Sequence, residues 1–112
     1  MKNHKFESCL LACSASAIAS LRCASADLKE SDVQLLARCI KLNNECAAFC
    51  LSTLEALARE SESIKQICKL CAEICTACAV ECEKHLHMDH CKICAEACRA
   101  CAVECTKMSK IL

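Results

Sequence analysis

Cysteine recurs in steps of three and four through the second half of this chain: Cys68, Cys71, Cys75, Cys78 and Cys82, then Cys91, Cys94, Cys98, Cys101 and Cys105. Steps of that size keep side chains on one face of an α-helix. The two runs are near copies. Residues 68–82 read CKLCAEICTACAVEC and residues 91–105 read CKICAEACRACAVEC, with differences only at Leu70/Ile93, Ile74/Ala97 and Thr76/Arg99. Two sparser runs precede them: Cys9, Cys13, Ser16, Ser20 and Cys23, then Cys39, Asn43, Cys46, Cys50 and Thr53. All sixteen cysteines thus fall on four helical ladders.

So many thiols admit three readings. Disulfide scaffolds of small secreted chains are loop-rich and use glycine and proline, and this chain has neither residue. Cysteines stacked on one helical face are also badly placed for disulfide geometry. Buried thiols can act as small core hydrophobes. That explains a few cysteines, but not two ladders uninterrupted by leucine. A store of soft metal ions on thiolates explains the whole pattern. Bare thiolates in a dry core are costly. The empty core is therefore expected to hold neutral thiols that give up protons as metal binds.

The ladders need helices to carry them. Alanine, leucine, glutamate and lysine are abundant and favour helix, and a chain of 112 residues makes one domain, spanning 1–112. Periodicity predicts helices over about 3–26, 31–59, 62–84 and 90–110, with Ser31 or Asp32 capping the second and Ser61 the third. Short connections give an all-α, antiparallel up-down-up-down four-helix bundle. Its core is lined by cysteine. The first helix has no charge from Ser8 to Leu21, so a second subunit is expected to cover part of it.

The ladders end differently at the two ends of such a bundle. Towards the termini they continue into Phe6, Leu57, Ile64 and Met108, which read as a plug. Towards the third connection they reach His85, His87 and Met88, with His90 adjoining. These are soft or borderline metal ligands, and that end reads as a mouth; the competing reading is that His85, His87 and His90 are solvated loop residues. Ser16, Ser20 and Asn43 lie on ladder faces without being thiols. They are expected to form a hydrogen-bonded belt at one level of the core, or to donate to bridging sulfurs.

Softness and geometry select the metal. Zinc wants tetrahedral sets brought together by loops, and iron–sulfur clusters want cysteine loops that wrap a cube. Straight ladders offer pairs one turn apart and facing pairs on neighbouring helices. Copper(I) accepts two or three thiolates, and shared sulfurs could raise capacity to roughly one ion per thiol. The predicted ligands are Cys9, Cys13, Cys23, Cys39, Cys46, Cys50, the ten cysteines of the copied runs, and His85, His87, Met88 and His90.

In these features the chain resembles the bacterial four-helix-bundle copper storage proteins, specifically their cytosolic branch. The resemblance is strongest from Cys68 to Cys105 and extends to the stretch from Arg38 to Asn43. It implies a homotetramer of bundles, each storing many copper(I) ions on paired and bridging cysteines and admitting them at the histidine end. The serines of the first helix depart from an unbroken array.

Other classes fit less well. Zero net charge gives no footprint for nucleic acid. A general zinc or cadmium buffer of metallothionein type would not need helical ladders. A disulfide oxidoreductase would need one exposed reactive pair beside a general acid or base, so the chain does not read as an enzyme. The amino-terminal run contains Leu10-Leu11-Ala12-Cys13, similar to a lipoprotein cleavage box. Glu7, Ser14, Ser16 and Ser20 dilute it, and it reads as a helix of the mature fold rather than a signal. No stretch reads as long and apolar enough to span a membrane. Free thiols suit a reducing cytosol.

Overall fold

The computed structural model describes residues 4–111. Four helices account for nearly all of it: α1 (His4–Asp27), α2 (Ala37–Ala58), α3 (Ile64–Cys82) and α4 (Asp89–Ile111), with no strand among the described residues. The expected start at residue 3 lies outside them. Helix α1 packs on α2 and α4, and α3 packs on the same two. The result is the antiparallel four-helix bundle, a tube with extents of 47 × 19 × 19 Å, one helix long and two helices wide.

Every cysteine is at most 1% exposed. The core is this column of sulfur, wedged by small residues such as Ala17, Ala72, Ala79 and Ala95. Alanine at those positions lets the helices approach while the cysteines fill the axis.

The connections differ from expectation in detail. The chain does not enter α2 at Ser31 or Asp32. Val33–Leu36 forms a tight 3₁₀ turn, Asp32 makes no side-chain capping bond, and the α-helix begins at Ala37. That turn buries Leu36 and leaves Leu35 on the surface. Ser61 does not cap α3 either: its hydroxyl accepts from the Ser63 N–H at 3.1 Å, inside the turn. Helix α2 ends with the Ser61 N–H on the Ala56 carbonyl at 2.9 Å and the Glu60 N–H on the Leu57 carbonyl at 3.2 Å. This closure requires a left-handed residue after the helix. In a chain without glycine that residue is Glu60, at φ 55°.

Length and composition alone would allow Phe6–Asp27 to cross a membrane, contrary to the expectation that no stretch would. The uncharged run is responsible. In the fold, however, its Cys9, Cys13, Ser16, Ser20 and Cys23 face the bundle axis and are buried.

Candidate metal centre

All sixteen cysteines are free, and their sulfurs form one connected column. Within a helix, neighbouring rungs lie 3.8–3.9 Å apart: Cys46–Cys50, Cys71–Cys75, Cys94–Cys98 and Cys101–Cys105. Between helices the approaches are as close, with Cys50–Cys75 at 3.5 Å, Cys9–Cys105 at 3.6 Å, Cys46–Cys75 and Cys13–Cys101 at 3.7 Å, and Cys23–Cys91 at 3.8 Å. With metal–thiolate bonds of about 2.3 Å, a trigonal trio of sulfurs has edges of about 4.0 Å. The thiols already stand at that spacing. Compact quartets drawn from several helices include Cys13, Cys71, Cys101 and Cys105, and Cys50, Cys71, Cys75 and Cys101. Cys71 and Cys101 belong to both, so metals in adjacent groups would share sulfurs.

Ser16, Ser20 and Asn43 are all fully buried. They do not bond one another in a belt; each is set among thiols. The Ser16 hydroxyl lies 3.5–3.9 Å from Cys46, Cys50, Cys75 and Cys98. Ser20 lies 3.6 Å from Cys94 and Cys98. The Asn43 carbonyl oxygen accepts from Cys78 at 3.1 Å, Cys94 at 3.3 Å and Cys82 at 3.5 Å, while its amide donates to Cys39. The hydrogen bonds of these three side chains go to sulfur, as the alternative expectation had it, and not to one another.

At the plug end Phe6, Leu57, Ile64 and Met108 are all buried, as their phase implies. The other end is polar. A cavity of about 110 Å³ there joins the first and third connections, lined by Leu35, Leu36, His85, His87 and Met88 among others. Met88 packs partly buried on the core. His87 is exposed and meets His85 edge-on, with ring centres 6.4 Å apart.

His90 lies deeper than its adjoining position suggested. Its Nε2 is 2.9 Å from Asp27 Oδ1, an atom that also accepts from Cys91 at 3.6 Å and Cys23 at 4.0 Å. The four ligand atoms all lie within 4.8 Å of one another. Asp27 is thus part of the site, although the sequence reading placed it in the first connection. The signal was present: Asp27 follows Cys23 by four and continues the α1 ladder. Its carboxylate is fully buried and its Oδ2 has no hydrogen-bond partner.

The electrostatics fit a core that loads by exchange. Burial first, then the nearby Asp27 and Cys39 charges, push Cys91 up to about 12. Cys75 and Cys105 are raised by neighbouring thiols, Cys101 first in both cases, and then by burial. Where a sulfur is ringed by thiol donors the bonds it accepts favour ionisation, as for Cys46 through Cys50 and Cys71 through Cys101. Burial raises Asp27 to about 6, aided by Cys39 and opposed by His90.

Comparison with known proteins gives a consistent result. Residues 2–110 match the profile of the Csp family, described as copper storage protein. The "uncharacterized cysteine-rich protein YhjQ" of Bacillus subtilis (strain 168) is 44% identical over 84 residues, 75% of this chain and 77% of that protein. The Cu(I)-bound copper storage protein BsCsp3 superposes with a TM-score of 0.90 at 42% identity, covering 95% of this chain and 99% of that one. A cytosolic copper storage protein from Streptomyces lividans, captured during copper loading with five coppers, superposes with a TM-score of 0.94 at 34% identity, covering 98% and 96%.

Proposed function

The chain belongs to the copper storage protein family, and on that premise we propose that it sequesters many copper(I) ions on its core cysteines in the cytosol. The observation that carries this reading is the sulfur column, with sixteen free, buried thiols at separations that metal bridging requires. We propose all sixteen cysteines as ligands. The centre of the array is the quartets around Cys71 and Cys101. Cys23, Asp27, His90 and Cys91 offer a mixed site just inside the mouth, and His85, His87 and Met88 mark the way in. Storage without catalysis is supported by the site's chemistry, since no thiol pair is exposed. The cysteine quartets by themselves would also suit a tetrahedral ion such as zinc; the family match favours copper(I) over a zinc or cadmium buffer.

A homo-oligomer, a tetramer by family resemblance, is supported by the surface of α1. Leu11, Ile18 and Leu21 are exposed on the uncharged run of that helix, Ser8 to Leu21. With Ile93 and Ala97 of α4, Ile18 borders a groove of about 490 Å³. Neither nucleic acid nor membrane is proposed as a partner, and any copper donor or recipient would be a separate protein.

Titration of the reduced protein with copper(I) against a competing chelator tests the storage reading. Binding is expected to continue to roughly one ion per thiol, and saturation after one or two equivalents would refute it. Because burial favours the neutral thiol and metal binds the thiolate, loading releases protons. Apparent affinity is therefore expected to rise with pH and fall with acidification, and an unbuffered titration should acidify.

A further inference from the structure

The repeated segment Ala-Val-Glu-Cys puts a glutamate before the last cysteine of each copy, Glu81 and Glu104. Glu104 is a surface residue, its side chain 28% exposed and paired with Lys107 at 3.6 Å. The Glu81 side chain is only 7% exposed. Arg38 Nε of α2 and Lys84 Nζ both reach its Oε1, at 3.4 and 3.1 Å. Its other oxygen, Oε2, stands 3.6 Å from His85 Nε2.

Two cations on one oxygen offset the cost of burying this carboxylate and fix where the second oxygen points. His85 Nε2 is buried and has no hydrogen-bond partner. An imidazole nitrogen that faces a carboxylate is favoured as N–H, since a lone pair there would oppose the negative charge. The lone pair then resides on Nδ1. Carboxylates that orient a metal-binding imidazole through its second nitrogen are a recurrent arrangement; here the 3.6 Å separation is an electrostatic contact just beyond hydrogen-bond reach. His85 also lines the mouth cavity with Met88.

We propose that Glu81 is a positioning residue for copper uptake: clamped by Arg38 and Lys84, it fixes the ring and tautomer of His85 so that Nδ1 is the nitrogen offered to the metal. This rests on the reading of His85 as part of the way in.

The test is stopped-flow transfer of copper(I) from a chromogenic chelator to the full chain, comparing wild type, Glu81→Leu, Glu81→Gln, His85→Ala and the Glu81→Leu/His85→Ala double variant. Glu81→Leu and His85→Ala are each expected to slow the early phase by about tenfold. The double variant is expected to be no slower than His85→Ala alone, because one residue acts through the other. Glu81→Gln keeps an acceptor and should fall between wild type and Glu81→Leu. NMR of ¹⁵N-histidine-labelled apo-protein should report His85 as the Nε2–H tautomer in wild type and as a mixture in Glu81→Leu.

A wild-type rate for Glu81→Leu beside a slow His85→Ala would overturn the proposal and leave the mouth reading standing. Multiplying effects in the double variant would overturn it too. A wild-type rate for His85→Ala would instead remove the mouth reading itself. Should Glu81→Leu fail to fold, Glu81→Gln and Arg38→Met carry the same test, and wild-type rates with an unchanged His85 tautomer in both would overturn the proposal.

Discussion

The two copied stretches have nearly one sequence and two environments. Residues 68–82 run along α3 towards the mouth and residues 91–105 run along α4 away from it. Corresponding cysteines therefore occupy opposite ends of the tube: Cys82 lies among the mouth thiols near Cys39, while Cys105 lies near Cys9. The same reversal buries Glu81 and leaves Glu104 partly exposed. An antiparallel pair of identical ladders gives a uniform column of sulfur with different ends. The liganding density comes from the repeat, and the polarity comes from chain direction.

That comparison predicts where metal density lies. The central sulfurs of α3 and α4 each meet several others, whereas the outer rungs of α1 and α2 meet few. Replacing Cys71, Cys75, Cys98 and Cys101 by serine is expected to remove about eight ions. Replacing the outer Cys9, Cys23 and Cys39 should remove about three, because fewer bridges are lost. Copper titration decides it, and equal losses would break the asymmetry.

The two ends can be separated in the same way. Leu57→Ala at the plug should cost about 2–5 kcal/mol of apo stability by opening a cavity, read from thermal or denaturant unfolding, while leaving the uptake rate near wild type. Replacing His85, His87 and His90 together should do the reverse, slowing uptake with capacity nearly intact. A plug variant that changed uptake would mean that copper has a second way in.

Much of this was legible because cysteine marks a helical face unmistakably. No other residue type competed for the ladder positions of α3 and α4, so the bundle, the inward thiols and the plug could be placed from phase alone. What escaped was set by neighbours. Asp27 looks like a connection residue because acids are usually solvated at helix ends, yet His90 from α4 reaches it and buries it. Glu81 is indistinguishable from Glu104 in sequence until Arg38 of α2 is seen beside it. The start of α2 lies beyond its polar cap signal at Ser31 and Asp32 because that signal competes with the burial of Leu36, and burial decides the turn.

A smaller effect is expected at the gap in the α1 ladder. Ser16 stands among four thiols, so Ser16→Cys should raise capacity by about one or two ions. An unchanged stoichiometry would show that the hydroxyl is not interrupting the array and that the sparser half is limited elsewhere.

The smallest effect concerns a position where the copies differ. Arg99 replaces the Thr76 of the first copy and holds both carboxylate oxygens of Glu83, at 2.9 and 2.8 Å. The guanidinium keeps the Glu83 carboxyl below its ordinary range. Both groups are well exposed, so Arg99→Thr should cost no more than about 1 kcal/mol, and less in high salt. The sign of the pH dependence follows from the depressed carboxylate. The contribution is present above the unfolded-state pKa of Glu83 and is lost as pH falls through the folded-state value, where variant and wild type should converge. Glu83 opens the short turn that ends at His85. If Arg99→Thr slowed copper uptake while leaving stability unchanged, this surface tie would be a second restraint on the mouth, and the difference between the copies would have a function beyond packing.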